Sequence, residues 1–197
     1  MARWYLGLAA VASLALVQGC AGVIVAGAAG TATMLHDRRP VTTQVEDTKL
    51  EFELSSAFSE SEGLNKQSRI RVFAVNGTVL LVGQVPSSYL MDEVKRISAS
   101  QVDSAKLHNE LEIREPISLT TRSSDSWLST KVRSALLADE NTEFARLKII
   151  TEDGKVFLMG VVTRSEANIA TEIVRNVGGV SEVVRVFEFV PEETARQ

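Results

Sequence analysis

Residues 76–83 read NGTVLLVG, and residues 153–160 read DGKVFLMG. In each stretch a dipeptide that tolerates positive φ precedes a run of apolar residues, which predicts the turn and the second strand of a β-hairpin. The two stretches lie about 77 residues apart, and the chain aligns with itself at about this spacing both before and after them. Self-similarity at a fixed period predicts two small domains of one fold in tandem.

Each copy predicts the same order of elements. Asp47 and Asp125 are expected to cap the first helices, because a short carboxylate accepts the free N–H groups of a first turn. The apolar residues that follow have helical spacing, at Leu50, Leu54, Ala57 and Phe58 and at Leu128, Val132, Ala135 and Leu136. A hairpin, a second helix (about 87–100 and 165–177) and a last strand (about 107–113 and 183–189) complete each copy. The predicted fold class is α+β, with two αββαβ units whose three-stranded sheets each carry two helices on one face.

Both faces of each predicted sheet are apolar. Side chains alternate between the two faces of a strand. The alternating pairs are Val79 and Leu81 against Leu80 and Val82, and Val156 and Leu158 against Phe157 and Met159. Helices cover only one face, and a sheet this small needs a cover on the other. The two domains packing on each other, help from Phe52, and a bound protein partner remain three alternatives.

The N-terminus has the order of a secretory signal peptide. One basic residue, Arg3, precedes an apolar run that ends in residues 16–20, LVQGC. Cys20 is the only cysteine of the chain, so no disulfide can explain it. Residues 16–20 resemble the lipobox of bacterial lipoproteins, which implies that Cys20 is the first mature residue and carries lipid, including palmitate. An uncleaved membrane helix or a buried, unmodified cysteine are the alternatives.

The repeat and its hairpins together resemble BON domains. Two such units behind a lipobox resemble the dual-BON outer-membrane lipoproteins. The organisation is then a signal peptide (1–19), a lipidated flexible tether (20–46), BON domain 1 (47–115), a linker (116–124), BON domain 2 (125–190) and a tail (191–197). Ala21 follows the cysteine where Asp would favour the inner membrane, so the resemblance implies an outer-membrane anchor facing the periplasm. It also implies enrichment at the division site and support of outer-membrane protein assembly.

Composition argues against several classes of function. Without the signal peptide the chain has 20 bases and 25 acids, a net charge of −5, which disfavours nucleic-acid binding. The two histidines, His36 and His108, have no metal-ligand spacing, and no phosphate loop or nucleophile motif is present. We therefore expect no enzyme activity, no metal or other cofactor, and no small-molecule substrate. A protein-interaction adaptor for outer-membrane assembly or peptidoglycan remodelling is the alternative function.

The first helices of the two copies differ on their outward faces. In the second copy Leu128, Val132, Ala135 and Leu136 share the core face, which leaves Trp127, Ser134 and Leu137 outside with Lys131 and Arg133 beside them. The first copy has Lys49, Glu53, Ser55 and Ser59 at the places of Trp127, Lys131, Arg133 and Leu137. An amphipathic face flanked by cations is typical of a membrane interface with anionic head groups. Packing of Trp127 on the first copy or on a loop is the alternative.

The family resemblance implies that the second domain binds anionic phospholipid through this helix. The predicted phospholipid-binding residues are Trp127, Lys131, Arg133, Ser134, Leu137 and Gly160. Gly83 and Gly160 occur at matching places in both copies, so the first interpretation of Gly160 is a packing role, and a direct role in the binding surface is the other.

Overall fold

A computed structural model describes residues 40–139 and 144–192, which belong to one compact unit. The predicted signal peptide, Cys20, His36, most of the predicted tether and residues 193–197 lie outside the described residues. Two copies of the same α+β unit follow each other in the described part of the chain. We refer to them as domain 1 and domain 2.

Domain 1 contains three helices and a three-stranded sheet. The elements are α1 (Val41–Glu60), α2 (Glu62–Gln67), β1 (Arg69–Val75), β2 (Thr78–Val85), α3 (Ser88–Ala99) and β3 (Leu107–Ile113). The central strand β2 pairs antiparallel with β1 and parallel with β3. The parallel pairing requires a crossover, and α3 provides it.

Domain 2 repeats this topology, and its described residues contain no counterpart of the short helix α2. Its elements are α4 (Leu119–Leu137), β4 (Lys148–Glu152), β5 (Lys155–Val162), α5 (Arg164–Arg175) and β6 (Glu182–Phe189). The strand order β4-β5-β6 has the same antiparallel and parallel pairs. The predicted αββαβ order, the strands and the helices between the second and third strands (α3 and α5) are confirmed to within a few residues, and α2 is an additional helix that the sequence did not predict.

The predicted N-caps at Asp47 and Asp125 are wrong. Helix α1 begins six residues before Asp47 and α4 six residues before Asp125, and both carboxylates are buried in mid-helix. Asp47 accepts the N–H groups of Asn76 and Gly77 at 2.8 Å each. Asp125 accepts those of Asp153 and Gly154 at 2.8 and 2.9 Å. Each carboxylate therefore satisfies the turn of its own domain's hairpin and fixes that turn against the first helix.

The first helices also begin inside segments that were predicted to be irregular. Helix α4 starts at Leu119, within the predicted linker 116–124, after Ser118 accepts the N–H of Thr121 at 3.1 Å. Helix α1 starts at Val41, within the predicted tether 20–46. The Ser/Thr-rich composition of residues 116–124 favoured a linker, but Ser118 in this segment is the N-cap of α4.

The two sheets pack on each other with the faces that their helices leave uncovered. On β2, Val79 and Leu81 belong to the helix-side core of domain 1, and on β5 Val156 and Leu158 belong to that of domain 2. The opposite sides form one shared core, made of Val75, Leu80, Val82, Ile150, Phe157, Met159 and Val186, with Phe73 and Val184 partly buried against it. Of the three alternatives, packing between the domains covers the second faces. Phe52 does not contribute, since it is 72% exposed.

Charged residues close the edge of this shared core. The carboxylate of Glu152, 5% exposed, accepts hydrogen bonds from Arg69 at 3.1 and 3.2 Å and from Arg71 at 3.1 Å. Gln84 donates to the same carboxylate at 3.1 Å and accepts the N–H of Ile117 at 3.2 Å. A carboxylate buried among this many donors from the other domain fixes how the two sheets meet.

Candidate functional site

Helix α4 presents one face to the core and one to water. Leu128, Val132 and Leu136 are buried in the helix-side core of domain 2. On the outward face Trp127 is 67% exposed and Leu137 is 60% exposed. Trp127 therefore does not pack on domain 1 or on a loop, which was the alternative to a surface role. Large exposed apolar side chains grouped on one helix face indicate a contact surface for a membrane or a protein.

The exposed apolar face is longer than the sequence indicated. Leu119, the first residue of α4, is 76% exposed. Leu119 and Leu137 are 18 residues apart, which is five turns and about 27 Å along one side of an α-helix. Apart from Trp127, the residues between them on this side are small and exposed: Ser123, Ser126, Thr130 and Ser134. We call Leu119, Trp127 and Leu137 the α4 row.

The predicted cations lie beside the α4 row, one on each flank. Arg133 is exposed, and Lys131 is partly buried, with its ammonium donating to the carbonyl of Gly178. No acid occurs between Ser126 and Ala138. The structure thus brings together five of the six predicted phospholipid-binding residues on the exposed side of one helix.

Gly160 lies apart from this surface. It is buried in the central strand β5, and a Cβ there would come within 2.8 Å of Cδ2 of Leu147. The matching Gly83 of β2 has φ of +127°, and a Cβ would lie 1.9 Å from the carbonyl oxygen of Arg69. Backbone conformation and the carbonyl of Arg69 exclude a side chain at Gly83, whereas a side chain at Gly160 would require the buried Leu147 to shift. These contacts favour the packing role of Gly160.

The chain matches the model of the BON domain twice, over residues 46–115 and 124–191. It is 35% identical over 174 residues to outer membrane lipoprotein DolP of Haemophilus influenzae, covering 88% of this chain and 90% of that protein. The chain belongs to the BON-domain family. It is also 37% identical over 161 residues to the 21 kDa hemolysin of Actinobacillus pleuropneumoniae, covering 82% of this chain and 83% of that one. Domains 1 and 2 are therefore BON domains 1 and 2, and the predicted resemblance to a dual-BON protein like DolP is confirmed.

A solved structure of CdsD, a structural protein of the type III secretion system of Chlamydia trachomatis, aligns with 75% of this chain and 65% of its own. The TM-score is 0.30 at 14% identity, which is too low to support an argument.

BON domain 1 also exposes apolar side chains on its first helix. Val41, Val45 and Phe52 of α1 are 54, 63 and 72% exposed and share one side of the helix. The charges on the exposed part of α1 are mostly acidic, since Lys49 pairs with Glu53 at 3.5 Å and Glu46 and Glu60 are exposed as well. The two first helices thus resemble each other in apolar exposure and differ in the sign of the charge beside it.

Sequence reasoning missed Leu119, Val41 and Val45, because it placed all three outside the helices. One signal was available: at the spacing of the repeat Val41 matches Leu119, so the similarity of the copies extends one turn and more before Asp47 and Asp125. Ser118 directly before Leu119 is a second signal, as an N-cap.

Across 40–139 and 144–192 there is no group of three or more His, Cys, Asp or Glu side chains arranged to hold a metal ion. In the same residues no helix combines the length and the apolar character that a membrane span requires.

Proposed function

We propose that this protein is an outer-membrane lipoprotein, anchored through Cys20 and facing the periplasm, whose BON domain 2 binds anionic phospholipid through α4. The observation that carries the proposal is the α4 row: exposed Leu119, Trp127 and Leu137 on a helix face with two flanking bases and no acid. Similarity to an outer membrane lipoprotein over most of the chain supports the compartment. In this role the protein helps to maintain the envelope barrier without catalysing a reaction.

The physical fit of α4 to a lipid surface has two parts. Tryptophan favours the interface between head groups and acyl chains, where its apolar ring contacts the acyl chains and its N–H remains hydrated. Leucines on the same face add apolar area that an acyl boundary can bury. Each base near an anionic membrane contributes about 1 kcal/mol, so Lys131 and Arg133 add an attraction that zwitterionic lipid lacks.

Charge separates this surface from the exposed row of α1. Val41, Val45 and Phe52 offer comparable apolar exposure, but Glu46, Glu53 and Glu60 on that helix would be repelled by anionic head groups. We therefore assign lipid binding to BON domain 2 alone.

A protein-interaction adaptor remains the second candidate, and the α1 row is the observation that favours it. The uncovered sheet faces cannot serve as its docking surface, because in the described residues they pack on each other. As an adaptor, the protein would bind partners in outer-membrane assembly or in peptidoglycan remodelling. Enrichment at the division site is part of the same candidate function.

The lipid proposal is tested by binding of the full chain to vesicles with and without phosphatidylglycerol. Trp127→Glu and Leu137→Glu are expected to weaken binding to anionic vesicles at least about ten-fold. Each replaces an apolar side chain that the membrane would bury with a negative charge that the anionic head groups repel. Phe52→Glu is the matched control, because it puts the same charge in place of an exposed aromatic residue on the first helix of BON domain 1. Equal losses for Phe52→Glu and Trp127→Glu would contradict the assignment to BON domain 2.

The anchor is tested separately. If Cys20 carries the lipid, Cys20→Ala moves the protein from washed membranes to the soluble periplasmic fraction, because one amphipathic surface alone holds a protein reversibly. Retention of the variant in membranes after a carbonate wash would support an uncleaved membrane helix instead.

A further inference from the structure

A shallow depression of about 600 Å³ lies beside Trp127, between α4 and two turns of BON domain 2. Its lining comes from α4 between Thr121 and Lys131, from the hairpin turn at Asp153 and Gly154, and from Gly179 in the turn between α5 and β6. The residues that matter here are Ser123, Ser124, Trp127, Lys131 and Gly179. A ligand in this depression would touch Trp127, so the depression adjoins the α4 row.

Lys131 is fixed at the edge of the depression. Its ammonium donates to the carbonyl of Gly178, which leaves two of its three N–H groups for another acceptor. Gly179 has φ of +107°, and a Cβ there would lie 3.3 Å from Nζ of Lys131. Glycine at this place keeps the space in front of the ammonium open. Among the hydrogen bonds of residues 40–139 and 144–192, none uses the N–H of Gly178 or Gly179.

The acids that also border the depression are already engaged. Both carboxylate oxygens of Asp125 accept N–H groups of the hairpin turn, at 2.8 and 2.9 Å. The carboxylate of Asp153 pairs with Arg114 of the other domain at 3.0 Å. Both acids that line the depression, Asp125 and Asp153, therefore already have partners and do not compete with a ligand for the ammonium of Lys131.

We propose that Lys131 and the Gly178–Gly179 turn bind the phosphate of a phospholipid head group while the α4 row lies in the interface. This proposal rests on the lipid binding of BON domain 2 and adds where the head group binds. A phosphate offers several charged oxygens, which suit an ammonium held near two backbone N–H groups. The serine hydroxyls at 123 and 124 are exposed beside the same space and can donate to the remaining oxygens.

BON domain 1 gives a control within the same chain. Glu53 stands at the place of Lys131, and the corresponding turn after α3 contains Asp103, whose side chain accepts the N–H of Ala105 at 3.0 Å. Two acids, Glu53 and Asp103, stand at the places of the cation and a glycine, so the equivalent place in BON domain 1 attracts phosphate less. It still contains two cations: Lys49 pairs with Glu53 at 3.5 Å, and Nζ of Lys106 would lie 3.4 Å from a Cβ at Gly77.

Gly178→Asp is the sharpest variant, because it recreates the acidic turn of BON domain 1. A Cβ at 178 would meet no atom within 4 Å, so the variant is expected to fold. Lys131→Gln removes the cation without adding an acid. Asn168→Asp, at an exposed position on α5, is the matched control for an added carboxylate in the same domain.

The test is NMR of the full ¹⁵N-labelled chain in maltoside micelles, which carry no phosphate. Adding phosphatidylglycerol is expected to shift the amides of Lys131, Gly178 and Gly179 together with those of Trp127 and Leu137. Adding laurate, an equal charge without phosphate, shifts only the second set. In Gly178→Asp and Lys131→Gln the Kd for phosphatidylglycerol rises about ten-fold, as expected for one lost charge-assisted hydrogen bond, while Asn168→Asp leaves it unchanged.

Two other results would overturn the head-group proposal. One is a shift of Gly178 and Gly179 by laurate as large as that by phosphatidylglycerol, or Kd values unchanged in both variants. The other is free glycerol phosphate binding as tightly as phosphatidylglycerol, which would assign the site to a soluble phosphate ester. Failure of the underlying lipid proposal looks different, since neither amphiphile would then shift Trp127 or Leu137.

Discussion

Helices α1 and α4 occupy the same place in two copies of one fold, and both expose apolar residues. Phe52 of α1 is 72% exposed and Trp127 of α4 is 67% exposed, so exposure alone does not separate them. The difference lies in the charges beside these residues, acidic at Glu53 and basic at Lys131. An exposed aromatic therefore indicates a contact surface, and the sign of the neighbouring charge indicates what kind of surface it can contact.

The division between the core face and the exposed face of α4 gives the largest expected effect. Leu128 is 5% exposed and its neighbour Trp127 is 67% exposed. Leu128→Glu should lower the free energy of unfolding by more than about 4 kcal/mol, because it removes a core side chain and buries an unpaired charge. Trp127→Glu should change it by less than about 0.5 kcal/mol. Urea unfolding followed by circular dichroism measures both.

This pair of variants also tests the comparison between the helices. If Trp127→Glu unfolds as readily as Leu128→Glu, then Trp127 is a packing residue and α4 loses its distinction from α1. A folded Trp127→Glu that no longer binds anionic vesicles strengthens the distinction.

The interface between the domains gives an intermediate effect. Glu152 is held by Arg69, Arg71 and Gln84 of domain 1, whereas the matching position of domain 1 is Val75, within the shared core. Removing one partner of a buried ion pair lowers the free energy of unfolding by about 3–5 kcal/mol. Both arginines are partly exposed, so we expect the loss in Glu152→Gln to lie near the lower end of this range. Differential scanning calorimetry should show a lower melting temperature.

Glu53→Gln is the control for the interface, since it removes one carboxylate from an exposed pair within α1. Such a pair contributes less than about 1 kcal/mol. A loss in Glu152→Gln no larger than in Glu53→Gln would mean that the ion pairs add little and that the shared apolar core alone joins the domains.

The fold could largely be predicted because the sequence repeats and its strands alternate. The residues predicted on the two faces of β2, Leu81 on one and Leu80 on the other, are found in two different cores. The partner of the second face could not be predicted, because an apolar face is the same whether a domain, a helix or another protein covers it. Periodicity reports that a face is buried and says nothing of what buries it.

The errors concern polar residues whose partners are distant in sequence. Asp47 and Asp125 looked like helix caps because a local rule fits them, yet each binds a hairpin turn 28 to 30 residues further on. The site was predictable where it depends on helical periodicity, as for Trp127 and Leu137. The contact of Lys131 with Gly178 was not, because it joins α4 to a turn 47 residues away.

The smallest expected effect concerns pH and a second contact between the domains. Lys155 of domain 2 donates to Glu112 of domain 1 at 2.8 Å, and the matching position in domain 1 is Thr78. The hydrogen bond to Glu112, opposed in part by burial, raises the pKa of Lys155 above its usual 10.5. Its contribution to stability is therefore complete below pH 10.5 and is lost as the pH rises through the folded-state value. Both side chains are about one-third exposed, so this ion pair contributes less than about 1 kcal/mol to stability.

We expect Lys155→Gln to be slightly less stable than the wild type at pH 8, and this difference in stability to disappear at alkaline pH and in high salt. A difference that persists unchanged above the folded-state pKa and in 1 M salt would show that Lys155 stabilises the domain contact through packing of its methylene chain and not through its charge.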